Sequence, residues 1–248
     1  MTGDADIAKV GALIADPARA RILLALGDGR SLPATVLASE AGVSPSTTSA
    51  HLGKLVDGGL LTVHRQGRHR YYRLSGPAVG EALEKLMTLA PAAPVRSLRQ
   101  GTRANAVRSA RTCYDHLAGV LGAGLMAAML ERGLLTGGDG TFTPGGGRDR
   151  LSAPGREHRY DLTERGRAEL TAFGLDVAGL ERLRRPLIRY CVDWSEQRHH
   201  LAGALGAAIA ARTLELGWIT RARRGRAVHV TDAGRDGLQE AFGLQLSA

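Results

Sequence analysis

Both cysteines of this 248-residue chain and three of its eight histidines fall in two short stretches. These are Cys113-Tyr114-Asp115-His116 and Cys191-Val192-Asp193-Trp194-Ser195-Glu196-Gln197-Arg198-His199-His200. Thiolate and imidazole are the ligands that borderline and thiophilic metal ions select. On a helix, Cys113 and His116 would share one face, as a ligand pair requires. One pair from each stretch, Cys113 with His116 and Cys191 with His200, would offer four ligands to zinc or another thiophilic metal or metalloid ion. Asp115, Asp193 and His199 would be further ligands or the groups that orient them. The same residues suit two other roles: Asp capping helices around small buried Cys side chains, or a thiol pair that senses oxidation. Trp194 would line an effector pocket or fill core. A Cys/His/Asp cluster can also activate a nucleophile or a zinc-bound water. No Gly-rich phosphate loop, nucleophile elbow or His-Glu-x-x-His accompanies it, so the expectation is a protein that is not an enzyme.

The elements that would position this cluster come from an internal repeat. His116 to Thr136 aligns without gaps to His200 to Thr220, identical at 12 of 21 positions with an offset of 84. Cys-x-Asp precedes each copy, and each is followed by a second recurrence: Leu162-Thr163, Gly166-Arg167 and Leu170 against Val230-Thr231, Gly234-Arg235 and Leu238. Leu117–Gly133 and Leu201–Gly217 read as helices with one cation each, Arg132 and Arg212, and small residues suited to close packing. The expectation for 95–248 is therefore a tandem of degenerate winged-helix-like repeats, about 112–174 and 190–243, used for sensing and dimer support. The first repeat carries a long Gly- and Pro-rich wing, Gly137 to His158. Val95 to Arg111 reads as a helix whose Arg96, Arg99, Arg103, Arg108 and Arg111 make a solvated face. Pro91-Ala92-Ala93-Pro94 reads as a linker.

Upstream, Pro33 to Leu74 reads as a helix-turn-helix and a β-wing. A first helix, about Pro33 to Ser39, ends at Gly42, and Val43 plugs the turn. Ser44 caps a second helix with Pro45 at its first position. Ser46, Thr47, Thr48, Ser49 and His51 form its polar face, with Ala50, Leu52, Leu55 and Val56 toward the core. A helix whose outer N-terminal end carries short hydroxyls suits the major groove, which points to Ser44, Ser46, Thr47, Thr48 and His51 as base and phosphate contacts. Two alternating runs, Leu60–His64 and Tyr71–Leu74, flank Arg65-Gln66-Gly67-Arg68-His69-Arg70. Arg65, Gln66, Arg68, His69 and Arg70 on such a hairpin fit contact with phosphates and the minor groove of double-stranded DNA.

Residues 8–90 resemble the ArsR-type family of winged-helix repressors. The resemblance rests on Ala15-Asp16-Pro17-Ala18-Arg19-Ala20-Arg21-Ile22-Leu23, on Ser44-Pro45-Ser46-Thr47-Thr48-Ser49-Ala50-His51-Leu52 and on Leu55-Val56-Asp57-Gly58-Gly59-Leu60-Leu61. It implies a dimeric, cytoplasmic repressor released by a small-molecule or metal effector. The chain departs from the best-known members where they carry a cysteine-containing metal motif. Thr35-Val36-Leu37-Ala38-Ser39 offers neither thiolate nor imidazole there, so any sensing belongs elsewhere.

Amphipathic helices are expected at Asp6–Ile14, Pro17–Leu26 and Pro77–Leu89, the outer two pairing across a two-fold axis in a homodimer. The expected domains are 1–90, DNA-binding; 91–94, linker; and 95–248. The fold class is mainly α with small β-wings. A net charge of +9 agrees with a polyanionic partner, although 30 of the 33 basic residues are Arg in an Ala- and Gly-rich chain, a bias that reflects base composition as well. Two cysteines make no disulfide scaffold, the start MTGDADIAKVGALIADP has no long apolar core, and no run approaches about 18 apolar residues. A soluble cytoplasmic protein without membrane contact is expected.

Overall fold

A computed structural model describes residues 4–67, 69–91, 98–142, 159–223 and 225–246. It divides into two compact units, residues 1–83 with 223–226, and residues 84–222 with 227–248. The division falls inside one helix, a few residues before the expected linker, of which only Pro91 is among the described residues.

The first unit opens with α1 (Ile7–Ile14) and α2 (Pro17–Ala25). Asp16 caps α2 by accepting from the N–H groups of Ala18 and Arg19, and Pro17 supplies a preset φ. Next come β1 (Leu32–Pro33), α3 (Ala34–Ala41), α4 (Pro45–Asp57), β2 (Leu61–Gln66), β3 (His69–Leu74) and α5 (Pro77–Leu89), the helix within which the first unit ends. Ile22, Leu23, Leu26, Leu37, Leu52, Leu55 and Leu61 are all buried, where α2 packs against α3 and α4. Gly42, at φ 71°, closes α3 in the left-handed conformation, so α4 can leave at a sharp angle. The strand β1 was not expected. Leu32 and Pro33 pair with Tyr72 and Tyr71 of β3, giving the sheet order β1-β3-β2. Pro33 is accordingly the extended residue before α3, not a residue of its first turn.

The second unit runs α6 (Leu98–Ser109), β4 (Arg111–Cys113), β5 (His116–Ala118), α7 (Gly119–Glu131), β6 (Leu135–Thr136), β7 (Asp161–Leu162), α8 (Glu164–Ala172) and α9 (Val177–Glu181). It continues with β8 (Arg189–Val192), β9 (His199–Ala202), α10 (Gly203–Glu215), β10 (Ile219–Arg221), β11 (Val228–Val230) and α11 (Asp232–Phe242). Hairpin, helix, hairpin, helix thus occurs twice. Thr163 and Thr231 cap α8 and α11 alike, each accepting from a glycine N–H three residues on while donating to the end of the preceding long helix's loop. Leu121, Leu125, Met126 and Met129 of α7 pack with Leu205 and Ile209 of α10 and Leu238 and Phe242 of α11.

Three expectations need correction. The Cys113–His116 stretch is a β-hairpin, not a helix: with two residues between them, Cys113 and His116 are cross-strand partners, and Tyr114 turns the chain at φ 58°. The two long helices start at Gly119 and Gly203, because Leu117 and Leu201 belong to strands. Arg111 lies on β4 and is wholly buried, so it is no part of a solvated face; Arg103 and Arg108 are exposed. Residues 143–158, most of the expected long wing, lie outside the described residues, as do Arg96 and the side chain of Arg99.

Candidate nucleic-acid interface and a buried Cys and His cluster

The outward face of α4 begins at its cap. The Ser44 hydroxyl accepts from the Thr47 N–H at 3.2 Å and lies 2.9 and 2.8 Å from the hydroxyls of Ser46 and Thr47. Ser46, Thr47, Ser49, Ala50, Gly53 and Lys54 are exposed, while Leu52 and Leu55 point into the core. Thr48 leaves the expected contact set: it is buried and donates to the Ser44 carbonyl at 2.9 Å. Ala50, expected toward the core, is exposed. His51 is half-buried, its Nδ1 3.5 Å from Arg19 and its Nε2 3.9 Å from Asp16, so it belongs as much to the α2–α4 packing as to the outer face. The backbone N–H of Arg19, with the Arg19 guanidinium and the Ala18 N–H, holds the Asp16 carboxyl below its usual range. In the wing, Arg65 pairs with Arg70 and Gln66 with His69 across Gly67, and all four side chains are exposed. Arg68 lies outside the described residues.

In the second unit, Cys113 and His116 are opposite each other on β4–β5, and Cys191 and His200 on β8–β9. One ligand atom from each of the four lies within 4.8 Å of the others. The hairpins are held together by the helices that follow them, crosswise. A Cβ on Gly122 of α7 would sit 3.4 Å from the His200 Cβ, and one on Gly206 of α10 would sit 3.3 Å from the His116 Cβ. Each helix therefore uses a glycine to admit the other repeat's histidine.

Behind the histidines stand two carboxylates. Asp115 Oδ1 is 3.2 Å from His116 Nδ1, and Arg185 binds Asp115 from outside. Asp193 Oδ2 is 3.2 Å from His200 Nδ1 and accepts from the Gly119 N–H at 2.6 Å. Its Oδ1 accepts from Arg111 at 2.8 Å and from the Ser195 N–H and hydroxyl at 2.9 and 2.8 Å. Burial raises both carboxyl groups, but the histidine and arginine partners outweigh it and hold both well below the ordinary carboxylate range. Burial likewise pulls His116 down, yet Asp115 and the Cys191 sulfur push its imidazolium up to about 9. The Cys113 thiol is raised by its contact with Cys191 and by burial; that contact and the two imidazoles lower Cys191. The pair thus favours a single thiolate, on Cys191.

A helix-turn-helix domain model matches residues 14–64. The HTH-type transcriptional regulator YdfF of Bacillus subtilis is 37% identical over 241 residues, covering 97% of this chain and 99% of that protein. The chain belongs to the HTH-type transcriptional regulators. The regulator also resembles CmtR of Mycobacterium tuberculosis, 38% identical over 81 residues, 33% of this chain and 68% of that one. Solved structures match the first third: the cadmium metal-sensor CmtR from M. tuberculosis (35% identity, 37% of this chain, 94% of that chain, TM-score 0.30), and the homodimeric winged helix-turn-helix domain of Mb0332 from M. bovis (29%, 36%, 89%, TM-score 0.32).

The regulator binds DNA through a winged helix-turn-helix in its first unit. Its ArsR-like motifs at Ser44–Leu52 and Leu55–Leu61 lie inside the matched residues. Among the sequence-predicted residues of the second unit, Cys113, His116, Cys191 and His200 come together. His199 does not join them: its Nδ1 meets the Tyr160 hydroxyl at 2.6 Å and its ring stacks on Tyr190 at 4.1 Å. Asp115 and Asp193 stand behind the histidines rather than among the four. Trp194 lies under the Arg111 guanidinium, 4.5 Å from its ring centre. Lys54 and Arg111 were missed. A period of 3.6 from Ser46 through Ala50 to Lys54 carried the first signal, whereas nothing local marks one arginine among 30 as buried.

Proposed function

We propose that this regulator is a homodimeric cytoplasmic repressor, released from its operator when an effector is received in the second unit. The observation that carries the DNA reading is the exposed polar face of α4, from Ser46 to Lys54, on a helix whose opposite face is locked in the core. Exposed hydroxyls in the first turns of that face and the Lys54 ammonium in its last turn meet base edges and phosphates, and the wing's Arg65, Gln66, His69 and Arg70 meet the backbone or minor groove. Dimerisation is supported by α1, which buries no residue in the chain and leaves Ile7 83% exposed, and by the exposed Leu86 and Leu89 of α5. The second unit is the receiving one because α3 has no thiolate or imidazole, while the second unit gathers two of each. Among the described residues no helix is long and apolar enough to cross a membrane.

Binding curves across salt concentration test these contacts. The double variant Arg65→Ala/Arg70→Ala should bind every sequence more weakly and flatten the log-affinity salt slope by about two units, near one per lost phosphate contact. Thr47→Ala should instead change preference among sequences by ~1–3 kcal/mol. Thr48→Val, which removes an internal hydrogen bond, should lower stability by about 1 kcal/mol and leave preference unchanged. A wild-type slope in the wing variant would contradict the assignment.

A further inference from the structure

We propose that Cys113, His116, Cys191 and His200 bind one tetrahedral divalent cation of the zinc class, clamping hairpin β4–β5 to hairpin β8–β9. This goes beyond the DNA reading and does not depend on it.

Four donor atoms around one tetrahedral zinc stand about 3.3–3.8 Å apart, given zinc–nitrogen bonds of about 2.0–2.1 Å and zinc–sulfur bonds of about 2.3 Å. The four atoms here already lie within 4.8 Å of one another, so a contraction of about 1.5 Å at most completes the shell. Each hairpin contributes one Cys–His pair from directly opposed positions, so the donors face the same way without any change of register.

A second observation points into the same space. The Nε2 atoms of His116 and His200 are buried and have no hydrogen-bond partner. Folding leaves such atoms stranded only at a cost, and a cation between them removes it. His116 Nδ1 is hydrogen-bonded to Asp115 at 3.2 Å, the carboxylate–imidazole relation that turns the far nitrogen toward a metal, and His200 Nδ1, without a hydrogen bond of its own, lies 3.2 Å from Asp193. Arg185 and Arg111 fix those carboxylates in turn. The sequence repeat makes the arrangement two-fold: Cys, Asp and His recur in both copies, and only the connection between Asp and His differs in length.

Charge selects the ion as well. Two thiolates, two neutral imidazoles and one divalent cation sum to zero, so binding with release of the cluster's protons leaves the buried site without net charge. Two sulfurs and two ring nitrogens exclude magnesium, calcium and manganese, which take oxygen ligands, and favour zinc. Four protein ligands leave no open position for water or substrate, so the site is a clamp and not a catalytic centre.

The test uses the full untagged chain. Elemental analysis and titration with zinc should give one equivalent per chain. Cobalt in its place should show the intense visible bands of a tetrahedral ion and sulfur-to-metal charge transfer. Cys113→Ala, Cys191→Ala and the double variant should each bind at least 100-fold more weakly, and zinc should raise the melting temperature of wild type but not of the double variant. Circular dichroism of chelator-treated wild type supplies a reference that needs no substitution. Wild type that takes up no zinc while both thiols react freely would overturn the proposal, as would equal binding by the double variant, or a Cys113–Cys191 disulfide as the resting state. DNA affinity, read on zinc-free and zinc-loaded samples, separates the proposals: no DNA binding in either form contradicts the repressor reading, and a chain that binds DNA but takes up no zinc contradicts this one.

Discussion

Asp193→Ala lowers the folding stability of the second unit by about 3–5 kcal/mol in urea denaturation, because it strands a buried cation. Arg111 and Asp193 are both 0% exposed and meet at 2.8 Å. The same carboxylate accepts from the Ser195 N–H and hydroxyl and from Gly119, and it faces His200. Removing it therefore breaks the β4, β8–β9 and α7 connections at once and leaves the guanidinium, stacked over Trp194, without a counter-charge. Asp193→Asn keeps the shape and part of the hydrogen bonding, so it should lose roughly half as much. A loss under about 1 kcal/mol for Asp193→Ala would show that the chain relaxes around Arg111, which the geometry does not anticipate.

Gly119→Ala has the next largest effect, about 3 kcal/mol or more. Gly119 has φ 76°, where an L side chain is strained by about 1–2 kcal/mol, and a Cβ there would sit 2.3 Å from the Arg108 carbonyl oxygen, a backbone atom that cannot rotate away. The shift needed to clear it also pulls the Gly119 N–H from Asp193. Gly217→Ala separates the two terms. Gly217 has φ 66° but nothing within 4 Å of its Cβ position, so it should cost only the strain, about 1 kcal/mol. Equal losses in the two variants, measured by thermal or urea unfolding, would mean that the close approach to Arg108 contributes nothing.

The first unit was legible because its signals are local. Asp16-Pro17 and Ser44-Pro45 are cap-and-start pairs, Gly42 marks a left-handed stop, and Leu52 and Leu55 lie one turn apart on the inner face. Thr48 misled because hydroxyl residues suit both an outer face and an internal bond to the carbonyl four residues back, and only the burial of its position decides between them. In the second unit the repeat revealed which residues correspond, though not their conformation. Cys113 and His116, three positions apart, satisfy both a helical turn and a tight hairpin, and the pairing of Arg111 with Ala118 resolves it toward the strand. Arg111 and Asp193 are 82 residues apart, so no window of sequence displays their ion pair. The same holds for the way Gly122 and Gly206 each admit the other repeat's histidine.

The most direct measurement of the central claim is selection of random double-stranded DNA on the full-length protein, followed by affinity and stoichiometry on the enriched sequence at defined salt. The account predicts a palindrome with half-sites about one helical turn apart, occupied by two chains, and bound about 10³-fold or more tighter than random DNA. No enriched sequence, or a single chain bound with the same affinity to selected and random duplexes, would contradict it.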